Sequence, residues 1–150
     1  MAPDGSAALK LRAEDTEDLA VISACLQDAL VAVRDLAYAP EGRSFLLVAN
    51  RFRWESGLRP APGEVPYERI LCGIAFSGVT AVSYSGFRRT DNGRILSLLA
   101  IRGERDAIRL EFSSGAAIRL ETARILCHAR DLGDPWPTPW RPRHDLDEAL

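Results

Sequence analysis

A chain of 150 residues with a formal net charge of −2 and 27% charged residues is the size of one domain, and it carries no global field that would draw it to nucleic acid or an anionic membrane. Its 47% hydrophobic content is enough for a packed core and excludes disordered or collagen-like chains. Cys25, Cys72 and Cys127 never approach a C-x-x-C spacing, which suggests neither a disulfide framework nor a structural zinc site and fits buried free thiols in a reducing cytoplasm.

No apolar run approaches the ~20 residues needed to span a bilayer, and residues 1–11 lack a basic stretch followed by a long apolar one. The expectation is a soluble, cytoplasmic protein with no membrane contact. Every basic residue except Lys10 is Arg, a bias that coding composition alone produces, so the number of guanidinium groups is no sign of phosphate binding.

In chain order, residues 1–14 read as a mobile start. Asp15 and Thr16 precede Leu19, Ile22, Ser23 and Leu26, whose three- and four-residue spacing predicts a helix over 16–27 with acids in its first turn. Residues 30–38 and 45–54 flank a Pro40-Glu41-Gly42 turn and predict a β-hairpin. Residues 29–36 also fit a continued helix, and β-branched Val31 and Val33 favour strand.

The three Pro and two Gly of residues 56–66 predict a surface loop between strands. Further strands follow at 70–76, 79–84 and 95–101, the last two separated by an Asp91-Asn92-Gly93 turn. The alternation of Ile108, Leu110 and Phe112 with Arg109, Glu111 and Ser113, then of Ile118 and Leu120 with Arg119 and Glu121, predicts a hairpin with Arg opposite Glu on its wet face.

Ile125, Ala129 and Leu132, followed by Gly133 and Pro135, predict a helix over 122–132. Residues 134–150, rich in Pro and Trp, read as an irregular tail packed back on the domain through Trp136 and Trp140.

Candidate chemistry is sparse. Asn50-Arg51-Phe52-Arg53-Trp54 interleaves guanidinium groups with aromatics on a strand, an arrangement able to bind phosphate or stack bases. Ordinary strand alternation favours the plainer reading, in which Phe52 and Trp54 join Leu46 and Val48 in the core and Arg51 and Arg53 are solvated or paired. Cys127-His128 and His144-Asp145 hold the only two imidazoles. A boundary His beside a buried Cys, and a local His144-Asp145 hydrogen bond anchoring the tail, outweigh a Cys-His dyad or a metal site.

The phosphate-loop, dinucleotide, nucleophile-elbow and zincin signatures are absent. Neither a metal nor a cofactor is expected, and no catalytic residue stands out. Adjacent carboxylates such as Glu17 with Asp18, or Asp145 with Asp147 and Glu148, read as solvated charge. Trp136-Pro-Thr-Pro-Trp140 fits either intramolecular packing or an extended ligand for a partner.

Taken together, the stretch from Leu19 to Leu30 with Tyr38-Ala-Pro40, the Phe45–Glu55 run with Asn50-Arg-Phe-Arg-Trp54, Leu96-Ser-Leu-Leu-Ala-Ile101, Ala116-Ala-Ile-Arg-Leu-Glu121, Asp131-Leu-Gly133 with Pro135-Trp136, and His144-Asp145 resemble a small alphaproteobacterial family, domain of unknown function 2948. The resemblance spans nearly the whole chain. It implies no activity, ligand or catalytic residue.

The expected fold is one α+β domain: an N-terminal helix, about seven mostly antiparallel strands in a bent sheet or pleckstrin-homology-like partly open barrel, and a C-terminal helix. An open antiparallel sheet with both helices on one face is the alternative. The preferred function is a non-catalytic binding or adaptor module that contacts a protein partner or a second copy through a strand edge or the tail. Arg51, Arg53, Trp54, Trp136, Trp140 and His144 are the candidate binding residues. A small ligand-binding protein or enzyme with an Arg-lined pocket is the second reading. RNA binding through Arg51–Trp54 is the third, and the acidic balance makes nucleic acid the weakest partner.

Overall fold

The computed structural model describes residues 8–54 and 67–138. Along the chain it contains β1 (Lys10–Ala13), α1 (Thr16–Cys25), β2 (Leu30–Ala39), β3 (Ser44–Phe52), β4 (Tyr67–Ser77), β5 (Val79–Ser85), β6 (Ile95–Glu104), β7 (Ala107–Phe112), β8 (Ala117–Thr122) and β9 (Cys127–Thr138). All strand pairs are antiparallel, and they form one sheet in the order β1-β9-β4-β3-β2-β6-β7-β8-β5.

The expected two-helix, seven-strand domain, in either its barrel-like or its open-sheet version, is therefore corrected to nine strands and a single α-helix among the described residues. Both added strands come from segments read otherwise. Residues 10–13 of the supposedly mobile start form β1, paired with β9 from Lys10↔Arg130 to Ala13↔Cys127.

The helix expected at 122–132 is absent because two periods coexist there. The three-four spacing of Ile125, Ala129 and Leu132 competes with a period of two, and the sheet selects the second: Cys127, Ala129 and Asp131 are buried while His128, Arg130 and Leu132 are exposed. Gly133, with φ +70, takes the left-handed position of a bulge facing Arg69 and Leu71, not a helix cap. The tail expected to be irregular from 134 continues β9 through Trp136 and Pro137 to Thr138. Pro135 and Pro137 lie beyond the Asp131 N–H to Leu9 carbonyl bond, and among the described residues no strand pairs with β9 on that side past it, so their missing N–H groups break no ladder there.

The sheet cannot be flat. β4 sits third in the strand order and β5 ninth, yet only Gly78 separates them in the chain. Its φ of +75, natural for glycine, turns the chain from one half of the sheet into the other. The two halves are joined by a short pairing of Leu30–Ala32 with Ile95–Ser97, and they enclose one core to which Phe45, Ile74 and Phe76 contribute from one side and Leu110, Ile118 and Leu120 from the other.

Helix α1 begins at Asp15, whose side chain accepts a hydrogen bond from the Asp18 N–H at 2.8 Å. Leu19 and Ile22 are buried, and the Ser23 hydroxyl accepts from the Ile101 N–H at 2.9 Å, tying the helix to β6.

One further expectation is corrected in the β7–β8 hairpin. Its turn carries Ser114 and Gly115 at positive φ, and the resulting register places Arg109 opposite Arg119, not opposite a glutamate. Arg102 of β6 faces Arg109 in turn. The row of three cations is neutralised by neighbours: Arg102 Nε lies 2.5 Å from Glu111, and Arg119 lies 3.2 Å from Glu121 and 3.8 Å from Glu104.

Candidate interaction surface

On β3 the inward positions are Phe45, Leu47, Ala49 and Arg51, so the guanidinium group occupies the core-facing row while Leu46 and Val48 point outward. The placement of Leu46 and Val48 in the core is thus corrected. Nothing in the local alternation separates Arg51 from Ala49; what does so is its partner across the sheet. Asp131 of β9 receives Arg51 Nε at 2.8 Å and Nη2 at 2.7 Å, with both side chains fully buried. The same carboxylate accepts from the Leu9 N–H at 2.7 Å. A bidentate, completely enclosed pair of this kind is the arrangement in which a buried charge is tolerable.

Arg53, also buried, pairs with Glu68 of β4. Arg69 donates to the Asn50 side chain at 2.6 Å and to its carbonyl at 2.9 Å. Phe52 packs with tilted rings against Trp54 at 4.6 Å and Tyr67 at 5.4 Å, and the Trp54 indole donates to the Gln27 carbonyl at 3.1 Å. The structure therefore brings Arg51, Arg53 and Trp54 together as a web that fixes the ends of β3, β4 and β9. Trp136 lies on β9 opposite Arg69, 36% exposed. Trp140 and His144 lie outside the described residues.

Cys127 and His128 follow one another on a strand, so their side chains leave opposite faces, the thiol inward and the imidazole outward. Burial pushes the Cys127 thiol up to about 12, and burial together with the nearby Asp131 carboxylate does the same for Cys72. Neither thiol is ionised near neutrality. Among the described residues no group of three His, Cys, Asp or Glu is arranged to hold a metal ion, and no helix is long and apolar enough to cross a membrane.

Local alternation gave no warning of the outer face of the same half-sheet. The pairings align Ala37, Leu46, Ala75, His128 and Arg12 in one row across β2, β3, β4, β9 and β1. Val48, Gly73, Arg130 and Lys10 form the next row, and Leu30, Asn50, Leu71 and Leu132 the one after it. Leu46, Leu71 and Leu132 are 44%, 41% and 38% exposed, which puts three leucines at the surface of one sheet face.

Beside Leu46, the residues Ala37, Val48, Gly73 and Ala75 line a shallow, almost wholly apolar concavity of about 410 Å³, to which Asp35 also contributes. Gly73 keeps its floor low: a Cβ there would stand 3.3 Å from Leu132 Cδ1. Along β9 and β1 the apolar panel ends in a border of exposed Lys10, Arg12, His128 and Arg130. A signal was available in the runs Phe45-Leu-Leu-Val-Ala49 and Ile70-Leu-Cys-Gly-Ile-Ala-Phe76, which are apolar at consecutive positions, as strands covered on both faces are.

A family model described as proteins of unknown function, DUF2948, matches residues 9–144. No curated protein and no solved structure matches the chain.

Proposed function

We propose that this chain, a member of the DUF2948 family of proteins of unknown function, is a non-catalytic binding module whose contact surface is the outer face of β2, β3, β4 and β9. Its partner is an amphipathic helix of another protein with an acidic flank. One observation carries the reading: over residues 45–49 and 70–76, β3 and β4 are apolar on both faces, while among the described residues the core covers only one. A sheet face of this composition is normally closed by a second layer, and a helix is the usual one. The basic border of Lys10, Arg12, His128 and Arg130 selects carboxylates beside the helix's apolar stripe. Trp136 extends the surface toward the Tyr67 end of the sheet.

The buried Arg51–Asp131 pair and the half-buried Arg53–Glu68 pair support a framing role for these residues, holding the strands in register beneath the surface, in preference to contact with phosphate.

The test is fluorescence anisotropy with a labelled helical peptide of about five turns, leucines at three- and four-residue spacing and glutamates along one flank. Saturable binding is expected, abolished by Leu46→Asp, weakened roughly tenfold by Arg130→Glu, and reduced by added salt. Absence of binding, or binding indifferent to Leu46→Asp, overturns the proposal. So does a wild-type mass of two chains that Leu46→Asp halves, because a second copy would then occupy this face.

A further inference from the structure

The two edges of the sheet are unlike. β1 is four residues long and carries Lys10 and Arg12, so shortness and charge both guard it against pairing with another chain. β5 has seven residues, Val-Thr-Ala-Val-Ser-Tyr-Ser, without a charge or a proline, and among the described residues β8 pairs with it on one side while no strand pairs with it on the other. Its sole irregularity is a register shift between Val79 and Ala81.

The core is also unfinished along this edge. Val82 and Tyr84 sit opposite the fully buried Leu120 and Ile118 and point toward the core, yet they and Phe87 are only partly covered. The Tyr84 ring meets Phe87 edge-on at 5.8 Å and lies 5.2 Å from the Arg89 guanidinium. Its hydroxyl is buried with no hydrogen-bond partner among the described residues, a cost that native structures rarely leave standing.

We infer that a second copy of this chain pairs antiparallel with β5 about a two-fold axis through Ser83. That axis sets Ser83 against Ser83, places Tyr84 of each copy opposite Val82 of the other on the core side, and sets Ala81 opposite Ser85 on the wet side. Aromatic side chains facing β-branched ones are favourable cross-strand neighbours, and within the strand no charge opposes a like charge. The contact is self-complementary, as a two-fold interface requires. It closes the exposed ladder and covers Val82, Tyr84 and Phe87 in both copies. It uses the opposite edge of the sheet from the β9–β1 border and leaves the apolar outer face open, so it stands independently of the function proposed above.

Native mass spectrometry and light scattering on the full chain at roughly 100 µM, a concentration that reveals even weak dimers, test the inference. The wild type is expected at twice the 16.5 kDa chain mass. Ser83→Lys and Ser83→Glu, each altering an exposed side chain, are expected at one chain mass because like charges then meet on the axis. Mixing the two variants restores the doubled mass as a one-to-one heterodimer. Circular dichroism of each variant confirms that it is folded, and either variant alone suffices if the other is not. A wild type at one chain mass, or a doubled mass surviving in both variants, overturns the inference. Leu46→Asp is expected to keep the doubled mass while losing peptide binding, which separates failure here from failure of the outer-face reading.

Discussion

Arg51 and Asp131, eighty residues apart in the chain, meet in the core through two parallel hydrogen bonds of 2.8 and 2.7 Å, and neither side chain touches solvent. The pair joins β3 to β9 across β4, and the Asp131 backbone N–H donates to the Leu9 carbonyl at 2.9 Å, extending the tie toward β1. Removing one partner strands the other charge in the core. Asp131→Ala is expected to cost about 3–5 kcal/mol in urea unfolding, whereas the double change Arg51→Met with Asp131→Leu recovers most of that loss. A single variant within 1 kcal/mol of wild type, against the ~3 kcal/mol expected, would show that the pair is not an essential tie.

The cysteines give a prediction about pH. The Cys72 and Cys127 thiols are held up to about 12 in the fold, against an ordinary value near 9. Between those values the folded chain retains protons that the unfolded chain has lost, so the stability due to burying neutral thiols is complete below pH 9 and falls as the pH rises toward 12. Urea midpoints measured from pH 8 to 11 should decline, and replacing both thiols by Ala should flatten the decline. At pH 8, an aromatic disulfide reagent should label Cys25, which is partly exposed, well before the two buried thiols.

Two glycines that look alike in sequence should behave differently. Gly86 and Gly115 have φ of +77 and +76, but a Cβ on Gly86 would stand 2.4 Å from the Gly115 carbonyl oxygen, while one on Gly115 would meet nothing within 4 Å. Gly115→Ala carries backbone strain alone, about 1 kcal/mol. Gly86→Ala adds a collision with backbone and should cost at least about 2 kcal/mol more. Equal melting temperatures for the two variants would contradict the close approach of the β5 terminus to the turn before β8.

Strand positions from Leu30 to Leu120 were legible because turns at Pro40-Glu41-Gly42, Asp91-Asn92-Gly93 and Ser114-Gly115 bracket apolar runs of strand length. The C-terminal strand was not. Residues 125–132 satisfy a helical stripe and a two-residue alternation at once, and the choice is made by β4, whose Cys72, Ile74 and Phe76 need the inward side chains of β9 to cover them. The alternation of Asn50–Trp54 was plain in sequence, but which of its faces turns inward depends on Asp131, far away in the chain. The outer face was half visible: the unbroken apolar runs of residues 45–49 and 70–76 mark strands suited to cover on both sides, but only the register brings Leu46, Leu71 and Leu132 onto one surface.

That surface is tested most directly by amide chemical-shift mapping of the full chain with the acidic amphipathic helix peptide. Saturable shifts are expected, concentrated at Leu46, Val48, Gly73, Ala75, His128 and Arg130 and absent in Leu46→Asp. Saturable binding with shifts confined to α1, β6 or the β7–β8 hairpin, or no shifts at any peptide concentration, would contradict the proposed contact surface.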